Sequence, residues 1–519
     1  MSRGFLFLAV AMTIASSSVR AADFDPYETS ITKIHEAMAA GEVTARELVE
    51  YYLVRIEAYD KQGPSINSII TINPNALERA DELDRAYRRD GLTGPLHGIP
   101  MIVKDNYDTA DMPTSGGSLA LKDSIPPDDS FQVKRIREAG AIIIAKSNLF
   151  EFAFSPYETV NSVLPGHTRN PYALNRVPAG SSGGTGASIA ANLAVVGLGT
   201  DTGNSIRGPS SHNALVGIRS SMGLTSRDGI VPLYFDHDIG GPMARSVADA
   251  AIVLSVIAGH DPADPVTAEG VDSIPDSYTE FLDADGLEGA RVGVIRQLSN
   301  RKNADPEVLE VFEQALVDLW SNGAEAVDPI DLPQLANLGE STEDGVDTMW
   351  CSRFKFDLNN YLASLGPDAP VKTLQEVIES GLYHPNVQSD LQYFQDIEEP
   401  PEEYDECKKS LVTRERFRET IRATMNEHNV DALVFPTWAN PPRLIGDLNS
   451  PHGDNSQQIS PHSGFPAITV PMGYARDGLP LGLQMVGKQF DEATLIKLAY
   501  SYERATRHRV PPPTTPRLD

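Results

Sequence analysis

Cysteine is almost missing from this chain. Only Cys351 and Cys407 occur in 519 residues, which excludes a disulfide-built scaffold and a cysteine-rich zinc or iron–sulfur site. Positive charge is also short. Lys and Arg total 43 against 72 Asp and Glu, a formal net charge of −29. A surface this acidic repels phosphate backbones and anionic headgroups, so neither a nucleic-acid partner nor a membrane-surface role is expected. After the first residues no apolar run approaches the roughly 20 residues a membrane-spanning helix needs. Internal repeats, low-complexity tracts and Ser/Gly linkers are missing as well. What is present is ordinary for a globular protein: 41% hydrophobic and 22% charged residues, enough to bury a sizeable core.

The N-terminus reads as an address. Met-Ser-Arg precedes an apolar run from Phe5 to Ala15, followed by Ser16-Ser17-Ser18-Val19-Arg20-Ala21. This is the pattern of a secretory signal peptide, residues 1–21 with cleavage after Ala21, leaving 22–519 as one secreted or periplasmic domain. No Arg pair for twin-arginine export and no lipidation cysteine accompany it. In an oxidising compartment Cys351 and Cys407 are able to pair, and their spacing leaves the matter open.

Along the chain, short apolar runs alternate with helical periodicity. Helical patterns begin at Ser30, at the capping box Thr44-Ala45-Arg46-Glu47, and over Phe131–Ala139, Gly183–Asn192, 306–320 and 492–506. Strands are expected at Ile99–Val103, Ala141–Ala145, Val195–Leu198, Val292–Ile295, near Ala326, and at Leu433–Phe435 and Ala467–Val470. Pro100 places the first of these at a sheet edge or end. The expected class is α/β: a single large domain with a mixed β-sheet covered by helices on both faces. The Asp/Pro-rich stretch His260–Gly289 reads as a long surface connection, and Asp396–Glu406, with seven acidic residues, as a solvated turn.

Glycine and hydroxyl residues concentrate in two places. One is Ala179-Gly180-Ser181-Ser182-Gly183-Gly184; the other is Gly199-Thr200-Asp201-Thr202-Gly203-Asn204-Ser205-Ile206-Arg207. Upstream stands Lys104-Asp105-Asn106 behind an apolar run. Neither loop has the Lys-Ser/Thr pair of a P-loop or the spacing of a dinucleotide site. A serine nucleophile needs a base. No G-x-S-x-G elbow surrounds these serines, and His237, between Asp236 and Asp238, reads as a loop residue. Lys104 is the alternative, because a desolvated lysine is more easily neutral and can accept a proton. The turn Thr202-Gly203-Asn204-Ser205 is able to aim successive backbone N–H groups at one oxyanion.

These motifs resemble those of the amidase signature hydrolases. The likeness continues through Gly140–Glu151, Asn170-Pro171, Asp431–Thr437, Gly464–Ala467 and Leu479–Glu503, and spans about residues 30–507. It implies Ser205 as acyl-forming nucleophile, Ser181 as bridging serine on a cis peptide bond, and Lys104 as terminal base. It further implies an oxyanion hole from the backbone of Thr202, Gly203, Asn204 and Ser205, substrate contacts from Ser182 and Asn204, and structural support from Asp201 and Arg207. No metal or organic cofactor is implied, and the expected partner is a small-molecule or peptide amide.

Three departures from the family pattern stand out. Asn204 replaces a glycine; Asn is the best substitute if the position needs φ > 0, and its side chain becomes a candidate specificity element. Ala179 replaces another glycine, read as a mild change. Ile218-Arg219-Ser220-Ser221 replaces Leu-Lys-Pro-Thr, read as a packing adjustment away from the chemistry. The segment Phe354–Leu362 resembles the branch of peptide amidases and broad acyl amidases, which puts the pocket wall between about Met349 and Phe394. The expected function is a secreted amidase. Alternatives are the glutamine-hydrolysing subunit of a tRNA-dependent amidotransferase, or a non-catalytic binding protein on the same fold, which would be inert to a serine-directed fluorophosphonate.

Overall fold

The structure, a computed structural model, describes residues 24–518 apart from 334, 336–340, 343–344 and 347–348. The expected leader, residues 1–21, lies outside the described residues. Local signals act as read at several helix ends. Ser30 accepts the Lys33 N–H and Gly41, at φ 72°, ends the helix Ile31–Ala40. Thr44 and Glu47 form a reciprocal capping box on Ala45–Arg55.

The strands are β1 Ile69–Ile72, β2 Pro100–Lys104, β3 Ile142–Ser147, β4 Val196–Asp201, β5 Val216–Arg219, β6 Ile239–Ala244, β7 Arg291–Val294, β8 Glu325–Val327, β9 Ser341–Thr342, β10 Gly345–Val346, β11 Ala432–Pro436, β12 Ala467–Ala475 and β13 Leu479–Val486. All but β9 and β10 join one 11-stranded sheet in the order β1-β3-β2-β4-β6-β5-β12-β13-β11-β7-β8. The sheet is mixed: β2 runs parallel to β3 and β4, whereas β4 and β6 are antiparallel. Every residue of β2, β3, β4, β5, β6, β11 and β13 is buried, so helices and loops cover both faces.

β2 is therefore an interior strand, not an edge. Pro100 is tolerated because it is the first residue of the strand, where a missing N–H costs little. The parallel pair β2–β4 brings the carboxyl ends of both strands side by side, at Lys104 and Asp201, the end where open α/β sheets present their sites. The helix Gly183–Ala190 packs close behind. A Cβ on Gly197 of β4 would lie 2.6 Å from Thr185 Cγ2, and one on Gly184 would lie 2.2 Å from the Asn148 carbonyl oxygen. Small residues are required here for close approach.

The stretch His260–Gly289 is better anchored than a surface connection. It forms three short 3₁₀ turns, and Asp261, Asp264, Thr267 and Tyr278 are buried. The turn at 396–406 is mostly exposed, as expected, but the half-buried Glu406 accepts hydrogen bonds from the Ser352 N–H and Oγ. Next to it Cys351 and Cys407 form a disulfide. This bond ties the segment leading into the helix Phe354–Ser364 to the long helix Asp405–Glu427. Helices Phe354–Ser364, Leu374–Ser380 and Gln388–Gln395 share a second hydrophobic core with Phe150, Phe152 and Leu233.

Candidate active site

The carboxyl end of β2 delivers Lys104 into a fully buried position, 0% exposed. Its Nζ lies 2.7 Å from Ser181 Oγ and 2.7 Å from Thr200 Oγ1. Asn106 Nδ2 donates to the same Thr200 hydroxyl at 3.1 Å. With two hydroxyls for company, the amine is poorly solvated as an ammonium. Burial lowers its pKa to about 7, against the opposing pull of Asp238 and Asp201.

Ser181 is held by the loop ahead of Gly183–Ala190. The Gly180–Ser181 peptide bond is cis, and the Ser181 carbonyl accepts the Phe150 N–H at 3.1 Å. Any side chain at Gly180 would strike the Glu158 carbonyl oxygen, 2.1 Å from its Cβ position. Ser182 turns the other way. Its Oγ donates to the Thr200 carbonyl and accepts the Thr200 N–H, at 3.0 and 3.2 Å, locking the loop to β4. Ser182 is a structural clamp here, not a group lining the cleft.

Beyond β4 the chain turns sharply. Among the described residues, none of the backbone N–H groups of Thr202, Gly203, Asn204 and Ser205 donates a hydrogen bond. The next two, of Ile206 and Arg207, both go to Asp201 Oδ2 at 3.1 and 3.3 Å. Four donors in a row thus stay free beside Ser205, where a developing oxyanion would be received.

Asp201 and Arg207 support this turn. Arg207 reaches Asp201 through Nε at 3.0 Å and gives further bonds to the Gly203 and Ser456 carbonyls. Arg219 joins them: it pairs with Asp201 Oδ1 at 3.1 Å, bonds the Asp201 carbonyl, and reaches the His237 carbonyl at 2.8 Å. Burial alone would raise the Asp201 carboxyl, but the two guanidinium groups outweigh it and hold the pKa at about 2, well below its ordinary value. Arg219 is therefore part of the site's support and not the remote packing change expected of its segment.

The glycine departures also exchange importance. Asn204 does not adopt positive φ, so no left-handed conformation is demanded there; Ala179 does, at φ 65°. An alanine in the left-handed region costs about 1–2 kcal/mol relative to the right-handed one.

Ser205 and Asn204 line a cleft of about 210 Å³ with Thr202, Gly203, Ala153, Phe154, Pro156, Leu233, Tyr234, Trp350 and Gln457. Of the segment 349–394 expected to form the wall, Trp350 alone lines it directly; Phe354 and Phe394 stand behind, packed on Phe154. The Ser205 hydroxyl is not bonded to Ser181. It faces Asn204 Oδ1 at 3.5 Å, a long contact. His237 is a buried loop residue as read: Nδ1 meets Asp236 Oδ1 at 3.0 Å, the ring stacks on Trp350 at 4.4 Å, and burial lowers its pKa to about 4.

With this geometry in view, comparison with known proteins is informative. The family described as Amidase matches residues 47–496. The chain belongs to the amidase signature family. It is accordingly a hydrolase of amide bonds. A probable amidase of Arabidopsis thaliana is 33% identical over 518 residues, covering 97% of this chain and 95% of its own. A glutamyl-tRNA(Gln) amidotransferase subunit from Thermoanaerobacter pseudethanolicus is 33% identical over 506 residues, covering 94% and 98%. The crystal structure of the peptide amidase of Stenotrophomonas maltophilia superposes with a TM-score of 0.83 at 38% identity, covering 94% of this chain and 98% of that one.

In this amidase the motifs brought Lys104 into contact with Ser181, and Asp201 into contact with Arg207. Sequence reading missed Thr200 as the second partner of Lys104, Asp238 as the acceptor for Thr202 Oγ1 at 2.5 Å, and Asp454 as the acceptor for Asn204 Nδ2 at 2.9 Å. Thr200 lay inside the quoted motif and Asp238 beside His237, so both were in view; Asp454 carried no signal. Among the described residues, no cluster of three or more His, Cys, Asp or Glu is arranged to hold a metal. No helix among them is long and apolar enough to cross a membrane.

Proposed function

We propose that this amidase hydrolyses terminal carboxamides through an acyl-enzyme on Ser205, with Ser181 and neutral Lys104 as a proton relay. The observation that carries the reading is the buried Lys104 amine, 2.7 Å from Ser181 Oγ and with a pKa of about 7. The relay starts when the Ser205 hydroxyl leaves Asn204 for Ser181. Ser205 Oγ then bonds to the amide carbon as its proton passes to Ser181, and the Ser181 proton passes to Lys104. The free N–H groups of residues 202–205 receive the oxyanion. On collapse the C–N bond breaks; the departing amine takes a proton from Ser181, which is resupplied by Lys104. Water then cleaves the acyl-enzyme over the same path.

A small cleft beside Ser205 and the likeness to a peptide amidase support a terminal carboxamide as substrate. The disulfide and the leader-like residues 1–21 support export to an oxidising compartment, with 22–519 as the working domain. Likeness to the amidotransferase subunit favours glutamine hydrolysis within a complex as a second reading; a disulfide-bonded, exported protein does not fit that cytoplasmic role. Mass spectrometry of enzyme quenched during turnover of a peptide amide tests the first reading. An acyl mass on the peptide containing Ser205, lost in Ser205→Ala, is expected. Full turnover by Ser205→Ala would contradict it.

A further inference from the structure

The cleft beside Ser205 has a polar part, Thr202–Ser205 with Gln457, and an apolar part that includes Phe154, Leu233, Tyr234 and Trp350. The Trp350 ring stacks on the His237 ring at 4.4 Å and meets the rings of Tyr234 and His462, each at 5.0 Å. Its segment has no regular structure: residues 349–353 form neither helix nor strand. Immediately after Trp350 come two ties to the start of the helix Asp405–Glu427. Cys351 is joined to Cys407 by the disulfide. Ser352 gives Glu406 Oε1 two hydrogen bonds, from its N–H at 3.1 Å and its Oγ at 2.8 Å.

That helix holds the other side of the stack as well. Arg414 lies about two turns beyond Cys407, hence on the same face, and both are buried. Its guanidinium donates to Asp236 Oδ2 at 2.6 Å, the Asp236 carbonyl at 2.9 Å and the His462 carbonyl at 3.3 Å. Asp236 in turn meets His237 Nδ1 at 3.0 Å. One helix face thus holds the Trp350 segment through Cys407, and the two histidines packed on Trp350 through Arg414. A segment outside helices and strands opens locally at little cost, and a crosslink removes conformations open to the chain. A wall ring fixed in advance spares a bound group the entropy of ordering it.

We propose that Cys351 and Cys407, through their disulfide, are positioning residues for substrate selection: the bond fixes Trp350 as an apolar wall against which the substrate's acyl group rests. Acyl groups large and apolar enough to reach Trp350 depend on the bond, and short ones do not. This rests on the Ser205 acyl-enzyme reading, which puts the acyl group in this cleft. The effect is modest, about five- to tenfold, because the rings around Trp350 and the Ser352–Glu406 bonds remain when the disulfide is lost.

The test compares 3-phenylpropanamide with propanamide, which lacks only the phenyl ring. In Cys351→Ser/Cys407→Ser, KM for the first should rise about five- to tenfold with kcat held within about twofold. For propanamide kcat/KM should hold within about twofold. A bond with a structural role alone would lower the melting temperature and leave the preference between the two substrates unmoved. Intact enzyme treated with dithiothreitol is the second arm. The reagent's two thiols supply the electrons and protons that turn the S–S bond into two thiols, counted by alkylation mass at Cys351 and Cys407; reoxidation should restore KM. An unmoved preference in the folded variant, or an equal loss on both substrates, overturns the inference. If melting shows the variant unfolded, the treated enzyme decides, and an unmoved preference or an unfolded protein there overturns it too. Fluorophosphonate labelling of intact enzyme separates the two layers. Labelling at Ser205 with an unmoved preference defeats only the role of the disulfide; no labelling at Ser205 defeats the acyl-enzyme reading itself.

Discussion

Two lysines stand at the ends of neighbouring parallel strands, and both are fully buried. Lys146, near the end of β3, lies among oxygens. Its Nζ is 2.6 Å from the Tyr107 carbonyl, 2.8 Å from Thr114 Oγ1, 3.1 Å from Thr109 Oγ1 and 3.2 Å from the Pro113 carbonyl, with the Asp105 carboxylate at 3.5 Å. Lys104, at the end of β2, has two hydroxyls. Burial lowers the pKa of both, while Asp105 and Asp108 pull Lys146 back toward the charged form. The difference teaches how one fold can set the same side chain in two different environments. A caged ammonium fastens the loop 107–114 to the sheet; an amine facing only hydroxyls is free to take a proton from one of them.

The largest effect that sharpens this contrast is on turnover. Lys104→Met should lower kcat/KM by about 10²–10⁴-fold, measured on a reactive anilide, with the protein still folded. Next comes stability, where the two lysines should part company. Lys146→Met leaves Asp105 buried without its cation and should cost about 3–5 kcal/mol in urea unfolding. Lys104→Met should instead stabilise the protein at neutral pH. Its pKa is about 7 folded against about 10.4 unfolded. Between those values the unfolded chain binds more protons, so wild-type stability rises with pH across that window. The gain from Lys104→Met should therefore shrink toward pH 10. Equal losses from both substitutions would erase the comparison.

The pH profile is a finer probe. In the proposed relay activity needs the neutral amine, so kcat/KM should fall about tenfold per unit as pH drops below about 7. Burial raises Asp454 to about 6, so an acid limb alone has more than one possible owner. Asp238 favours charged Lys104; removing that charge in Asp238→Asn should move the limb to lower pH if Lys104 owns it. A limb that stays put would assign it elsewhere.

How legible this was depended on distance along the chain. The proposed chemistry sits in two short motifs and one strand end, so Lys104, Ser181 and the 201–207 turn could be read together. The unbroken apolar run Ala141–Ala145, which became most of β3, was equally plain. β2 was misplaced at an edge because Pro100 is a real local signal whose cost vanishes at a strand's first residue. β6, reading Ile-Gly-Gly-Pro-Met-Ala, has no strand signature at all and exists because β4 and β5 flank it. Asp454 meets Asn204 from 250 residues away, which no local pattern announces. Backbone geometry was hidden too: the glycine replacement considered for positive φ, Asn204, does not adopt it, and the one read as mild, Ala179, does. Ala179→Gly should accordingly stabilise the fold, by about 1 kcal/mol or less after the unfolded-state entropy of glycine is deducted. Destabilisation in urea unfolding would contradict that assignment.

The most direct test of the central contrast is NMR titration of enzyme carrying ¹³Cε-labelled lysine, with the Lys104 resonance assigned by its disappearance in Lys104→Met. A Lys104 signal that titrates near pH 7, and is that of a neutral amine by pH 8.5, is the result this account predicts. A signal that stays that of an ammonium up to pH 10 would contradict it.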